Sequence, residues 1–314
     1  MTDHPEPPLL LRRLRDAGFD ADSVRPAGGG VVAQAGIATL RDGGRVFAKT
    51  LPGDVQDLFA VEASGLAALR GAGLNTPDVL SASSGLLVLA AFPAFPDTDQ
   101  AWESLGRAVA ALHGSTVQDR FGWHRDGWLG RMRQVNTWTS DGHAFFAAHR
   151  ILRWLPAIDG KLDAGDRRAV ERLCARLPDL VPDLPACLTH GDLWPGNILG
   201  TPEGGVAVVD PAVSYTWAEV DLSMMWCSPR PPRSDRFFAA YAEAGTLADG
   251  WQERMRVLHL REVLSTIAHG DDDWDAVGYV REVVAPFRVT RRTRPPQSAP
   301  GIPRQEAHGI ARRP

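Results

Sequence analysis

The chain has 314 residues and a mass of 34.0 kDa, is 44% hydrophobic and 23% charged, and carries a formal charge of −4. That length and balance predict about two domains, or one large lobed one, with a sizeable core, and they exclude global disorder. No stretch approaches the ~18–20 apolar residues of a membrane span, and segment 1–8 lacks the basic and apolar regions of a secretory signal, so the expectation is a cytoplasmic protein with no membrane partner.

In chain order, 9–18 reads as a short helix, followed by glycine-punctuated strands. Gly28, Gly29 and Gly30 lead into strand-like runs at 31–37 and 37–41. An Asp42-Gly43-Gly44 turn separates these from 45–49, a hairpin signal. A helix over 55–70 stops at Gly71 and Gly73, and strands follow at 77–80 and 86–91. Beyond the proline-marked joint 92–96 the spacing turns helical, at 102–113, 139–154, 164–177, 235–244 and 250–268, with 188–210 reading as loop and hairpin. The expected fold class is α+β: a small antiparallel β-sheet lobe with one main helix over 1–92, and a larger, mainly helical lobe over 93–285.

Charge and cysteine usage add bounds. Segment 286–314 holds seven arginines, six prolines and one glutamate, whereas the remaining 285 residues hold 27 basic and 37 acidic residues. The tail is expected to be disordered, and the acidic body argues against nucleic acid as a partner. Cys174, Cys187 and Cys227 are odd in number and scattered, which fits neither a disulfide framework nor a metal knot and suits a reducing compartment. Of the 34 basic residues only Lys49 and Lys161 are lysines, a bias that G+C-rich bacterial coding produces and against which each lysine invites a reason. Lys161 lies in a Gly-Lys-Leu-Asp turn and has no evident one.

The most informative segment is His190-Gly191-Asp192-Leu193-Trp194-Pro195-Gly196-Asn197, followed by a turn and the apolar run 206–209 ending in Asp210. An Asp-x4-Asn spacing alone is weak, since a loop aspartate often caps a helix. With a hairpin and a second carboxylate behind it, the set matches phosphoryl transfer. Asp192 can accept the proton of a substrate hydroxyl, and Asn197 with Asp210 can supply oxygen ligands to Mg²⁺.

The small lobe carries the complement. Lys49 ends an apolar strand and shares a face with Phe47. On the next helix Glu62 falls within about 60° of Val55, Leu58, Phe59, Leu66 and Leu69 around the axis, in the middle of the apolar stripe. A carboxylate there is costly unless paired, and Lys49 is the obvious partner. A Lys–Glu pair beneath a glycine-rich loop is how kinases position nucleotide phosphates.

Together, the glycine run at 28–36, Lys49, Glu62, the 190–197 motif and Asp210 resemble the protein-kinase-like phosphotransferases, which include aminoglycoside and choline kinases. Within that superfamily the tryptophan after Asp-Leu resembles the fructosamine kinase (ketosamine kinase) family, as do the tract from Phe121 to Trp138 and the segment from Asp210 to Leu222. The resemblance covers about 10–285. It implies ATP- and Mg²⁺-dependent phosphorylation of a sugar hydroxyl on a small-molecule or protein-bound ketosamine. It assigns Asp192 as base, Asn197 and Asp210 as metal ligands, and Gly28, Gly29, Gly30, Lys49 and Glu62 to nucleotide binding. His190 and Asp221 are supporting residues, and Trp194, Asn136 and Trp138 are substrate-pocket candidates. The alternatives are an aminoglycoside- or choline-type kinase of the same superfamily and a non-catalytic nucleotide-binding regulator.

Overall fold

The computed structural model describes residues 8–27, 33–53, 57–271 and 274–288. Helix α1 (Leu9–Asp16) precedes strands β1 (Ala21–Pro26), β2 (Gln34–Leu40) and β3 (Arg45–Thr50); helix α2 (Leu58–Gly71), β4 (Val79–Ala82) and β5 (Leu86–Ala90) follow. The strands form an antiparallel sheet in the order β1-β2-β3-β5-β4. Side chains alternate across it. Val46, Ala48, Leu86 and Val88 meet Leu10, Leu11 and Leu14 of α1, while Phe47, Leu87 and Leu89 meet Phe59 and Leu66 of α2. The two runs expected at 31–37 and 37–41 are one strand within the described residues. Gly36 does not break it: a Cβ there would lie 2.8 Å from the Arg25 carbonyl oxygen, so the glycine serves the close approach of β1.

Helix α2 is held at several points. Leu69 and the following Leu74 join the core of the helical lobe, whereas Phe59 and Leu66 belong to the sheet side. Gly65 rests on Pro211 and Val213, 3.1 Å from a Pro211 carbon if it bore a Cβ. After the helix, Asn75 donates to Val206 O at 3.1 Å and accepts from Val208 N at 3.0 Å. At its start Asp57 accepts from Trp128 Nε1 at 3.0 Å and from Arg133 at 2.8–2.9 Å, and Arg133 lies over the Trp128 ring.

The helical lobe begins with α3 (Asp99–Ser115), N-capped by Thr98, and the hairpin β6 (Gly127–Leu129) and β7 (Met132–Gln134). The helix expected at 139–154 starts as α4 (Gly142–Phe146), with Asp141 capping it, and continues as a π-turn and a 3₁₀ turn to Trp154. Then come α5 (Ala164–Ala175), α6 (Leu177–Leu180), the short strands β8 (Cys187–Thr189), β9 (Ile198–Gly200), β10 (Val206–Val208) and β11 (Ser214–Thr216), and helices α7 (Glu219–Cys227), α8 (Asp235–Ala244), α9 (Trp251–His269) and α10 (Ala276–Val284). Trp102, Trp154, Trp217, Phe145, Phe146 and Phe237 are buried in its core.

The folded body runs past the expected start of the tail. A 3₁₀ turn at Ala285–Phe287 packs Phe287 on the core, and Arg288 pairs with Asp163 and with the fully buried Asp166. Residues 289–314 lie outside the described residues. Among the described residues no helix is long and apolar enough to cross a membrane.

Candidate active site

Two short antiparallel pairings build the site. In the β9–β10 hairpin Val208 stands opposite Ile198, which sets Val209 beside Asn197: Val209 N donates to Asn197 O at 3.0 Å. The turn is fastened by Gly205 N donating to Thr201 Oγ1 at 2.9 Å. The β8–β11 pairing places Ser214 opposite Thr189, so the chain after Asp210 passes His190, whose carbonyl accepts from Ala212 N at 2.9 Å. Gly191 has φ +78°, and a Cβ there would sit 2.2 Å from Ala212 O. Only glycine makes that turn.

The loop between these strands is fixed from behind. Asp221, in the first turn of α7 and 0% exposed, accepts from His190 N at 2.7 Å and Gly191 N at 2.8 Å, with His113 Nε2 at 3.2 Å. Burial opposes its ionisation, but these donors hold its carboxyl below the ordinary carboxylate range. His190 is also fully buried. Its Nε2–H donates to Val209 O at 2.9 Å and its Nδ1 accepts from Asp192 N at 3.2 Å, which fixes one neutral tautomer. Burial pushes its pKa down to about 4.

Asp192 is half-buried, and Asn197 Nδ2 donates both to its carbonyl, at 2.8 Å, and to its Oδ2, at 2.9 Å. The amide nitrogen of Asn197 is thereby committed, and its oxygen remains available to a cation. The Asp192 carboxyl is raised above the usual range by burial first and then by the Glu262 carboxylate nearby, with Arg261 pulling the other way.

Across the cleft, Lys49 Nζ donates to Glu62 Oε1 at 2.8 Å and also pairs with Asp210. Lys49 is 8% exposed, and its neighbours Leu87 and Ala35 in the sheet register leave it facing α2. Asp210 takes a left-handed backbone with φ +56°, which aspartate tolerates better than most residues. Glu62, Lys49, Asp210, Val209, Asn197 and Asp192 thus form a run in which each is bonded or peptide-linked to the next.

The remaining candidates divide. Trp194 is half-buried, with its ring over Gly196 two residues from Asp192. Trp138 is half-buried beside Tyr215, with ring centroids 5.8 Å apart, and under the Arg120 guanidinium. Asn136 is not presented to the cleft. It is 1% exposed, donates to Arg125 O and accepts from Arg150 Nη2 at 2.6 Å, so it braces the lobe. Gly28, Gly29 and Gly30 lie outside the described residues. Sequence reasoning missed His113, in the last turn of α3, and Arg261 and Glu262, mid-helix in α9 where a charge reads as a solvated face; it also missed Asp57, whose hydrogen-bond donors Trp128 and Arg133 are 71 and 76 residues away.

A match to the fructosamine kinase family spans residues 8–274. A Thermus thermophilus protein assigned as a ketoamine kinase is 34% identical over 271 residues, covering 83% of this chain and 92% of that one. The rice protein-ribulosamine 3-kinase is 29% identical over 224 residues, covering 68% of this chain; the match spans 64% of the rice protein's length. The solved structure of a Thermobifida fusca protein assigned as a fructosamine-3-kinase superposes with a TM-score of 0.76 at 30% identity, covering 89% of this chain and 97% of that one. The shared architecture is the two-lobed, protein-kinase-like α+β fold. With the family match spanning most of the chain and the fold shared across both lobes, this chain belongs to the fructosamine kinase family.

Proposed function

We propose that the chain is a cytoplasmic, ATP-dependent ketosamine kinase that transfers a phosphoryl group to a sugar hydroxyl of a fructosamine- or ribulosamine-type substrate. The observation that carries the reading is the continuous run from Glu62 through Lys49 and Asp210 to Asn197 and Asp192. The small sheet and α2 hold a cation for nucleotide phosphates, and the catalytic loop holds a carboxylate for the acceptor. Its three cysteines are free thiols, which suits a reducing compartment; burial pushes Cys174 up to about 12.

Asn197 and Asp210 fit Mg²⁺, because it takes few protein oxygens and fills its octahedron with water and phosphate oxygens. When bound, the ion neutralises charge on the β- and γ-phosphates. The chain's own residues do the rest. Lys49, steadied by Glu62, offers a compact ammonium to the phosphates. Asp192 receives the proton of the substrate hydroxyl as its oxygen forms a bond to the γ-phosphorus and the bond from that phosphorus to the ADP oxygen breaks. A carboxylate whose proton affinity is raised by burial suits that task. Asp221 and His190 keep the loop in place, so Asp192 needs no rearrangement as the substrate arrives.

The test is turnover of fructosyl-lysine and ribulosyl-lysine with ATP and Mg²⁺, beside an aminoglycoside and choline panel. Asp192→Asn should lower kcat by on the order of 10²–10⁴ without changing the unfolding midpoint. Activity indifferent to that change removes Asp192 from the mechanism, and turnover confined to aminoglycosides or choline removes the ketosamine assignment.

A further inference from the structure

Tyr241, near the end of α8, takes no part in the chemistry described so far, although it is only 2% exposed and carries a hydroxyl into the core. A phenylalanine would fill the same space without the cost of taking a hydroxyl out of water. The partner that the hydroxyl finds is His113, in the last turn of α3: Tyr241 Oη lies 2.9 Å from His113 Nδ1. On its other side the same imidazole meets Asp221 Oδ2, the oxygen that also accepts from His190 N.

The direction of each bond follows from the chemistry of the groups. Asp221 is held below the ordinary carboxylate range, so it is an anion that can only accept. His113 Nε2 must then carry the imidazole proton, which leaves Nδ1 as a bare acceptor and makes the tyrosine the donor. Burial pushes the ionisation of Tyr241 up, so the O–H stays in place. The packing of α3 against α8 delivers the two rings to each other. A Cβ on Gly106 of α3 would lie 2.3 Å from Phe237 O of α8, so only glycine permits that close crossing. His113 stands about two turns beyond Gly106 and Tyr241 about one turn beyond Phe237, on the same faces. The rings meet edge-on with centroids 5.7 Å apart.

We propose that Tyr241 is a positioning residue for phosphoryl transfer, acting on the catalytic loop through His113 and Asp221. Its donation to Nδ1 fixes the plane of the imidazole and polarises Nε2–H toward the carboxylate, since hydrogen bonds in a chain strengthen one another. Asp221 in turn holds the amides of His190 and Gly191, whose turn sets Asp192. The inference rests on the phosphotransfer reading and adds α8 to the elements that hold the base.

The experiment compares the full chain as wild type, Tyr241→Phe, His113→Leu and the double variant, by amide hydrogen exchange at His190 and Gly191 and by steady-state kinetics with ATP and a ketosamine. Tyr241→Phe should speed exchange at both amides and lower kcat by about 2–10-fold, the worth of one neutral hydrogen bond, with both KM values unchanged. In the His113→Leu background the same replacement should change neither quantity further, because the hydroxyl acts only through the imidazole. A packing defect would instead repeat in both backgrounds. Wild-type exchange at both amides in Tyr241→Phe, or an equal loss in both backgrounds, overturns the proposal. Should His113→Leu fail to fold, exchange in Tyr241→Phe alone decides it. A wild type that phosphorylates no acceptor overturns the kinase reading, and the exchange rates still report whether Tyr241 holds the loop.

Discussion

Replacing Asp221 by Asn tests whether the catalytic loop is held from behind. The substitution keeps the shape and one acceptor oxygen but turns the other oxygen into a donor. Oδ2 faces His190 N at 2.7 Å and His113 Nε2 at 3.2 Å, and Oδ1 faces Gly191 N at 2.8 Å. Whichever way the amide turns, an N–H meets a backbone N–H in a site that is 0% exposed. A change of His113 tautomer rescues only the imidazole contact. The variant therefore loses one charge-assisted bond, about 1.5–3 kcal/mol, and buries an unsatisfied donor, about 1–3 kcal/mol more. The sum, about 2.5–6 kcal/mol, is a large share of the roughly 5–15 kcal/mol that stabilises a typical protein. Guanidinium denaturation should show a clear drop in midpoint. At a temperature where the variant is still folded, kcat should fall because Asp192 is no longer held, while KM for ATP changes little. A variant with wild-type midpoint and wild-type kcat would refute the bracing role and the magnitude together.

Acid should weaken the fold in a defined window. His190 and His259 are buried, and burial lowers both pKa values from 6.5 to about 4. Below pH 6.5 the unfolded chain takes up these protons first, so stability falls by about 1.4 kcal/mol per pH unit per histidine until about pH 4. His259→Asn should flatten the slope between pH 6.5 and 5 relative to wild type in urea denaturation, and identical slopes would exclude His259 as a source. At the C-terminus, a chain ending at Arg288 should keep wild-type turnover and denaturation midpoint. One ending at Val284 loses Phe287 and the Arg288 contacts to the buried Asp166, and should unfold at lower denaturant.

The legible parts of the sequence were those where local pattern and tertiary demand agree. Alternation put Lys49 on the α2 face of its strand, and the apolar stripe around Glu62 marked that carboxylate for a buried partner. The pair is in place at 2.8 Å. Asn197 and Asp210 were legible as neighbours because a hairpin with a tight turn separates them, and Asp192 because its loop leads into that hairpin. Other strands of three residues were not. β6, β7 and β11 are too short for a period and exist only through partners brought by the fold. Gly36 looked like punctuation but answers to a neighbouring strand's carbonyl. The expected helix over 139–154 has helical composition, yet its second half winds as π and 3₁₀ turns, with the fully buried Trp154 closing it. Arg261 and Glu262 stayed hidden for the opposite reason. Two adjacent charges on a helix read as solvent-facing, and only the packing of α9 against the helical core buries Arg261 and covers most of Glu262.

The anchoring of α2 has a consequence for control. In a kinase governed by a moving helix, activity is switched by swinging the glutamate away from its lysine. Here the helix bearing Glu62 shares its side chains between two cores, sits on Pro211 and Val213 through Gly65, and is tied by Asp57 before its first turn and Asn75 beyond its last. A swing would break all of these at once. The Lys49–Glu62 pair is accordingly assembled by folding itself, with no separate rearrangement of α2 needed to bring it together.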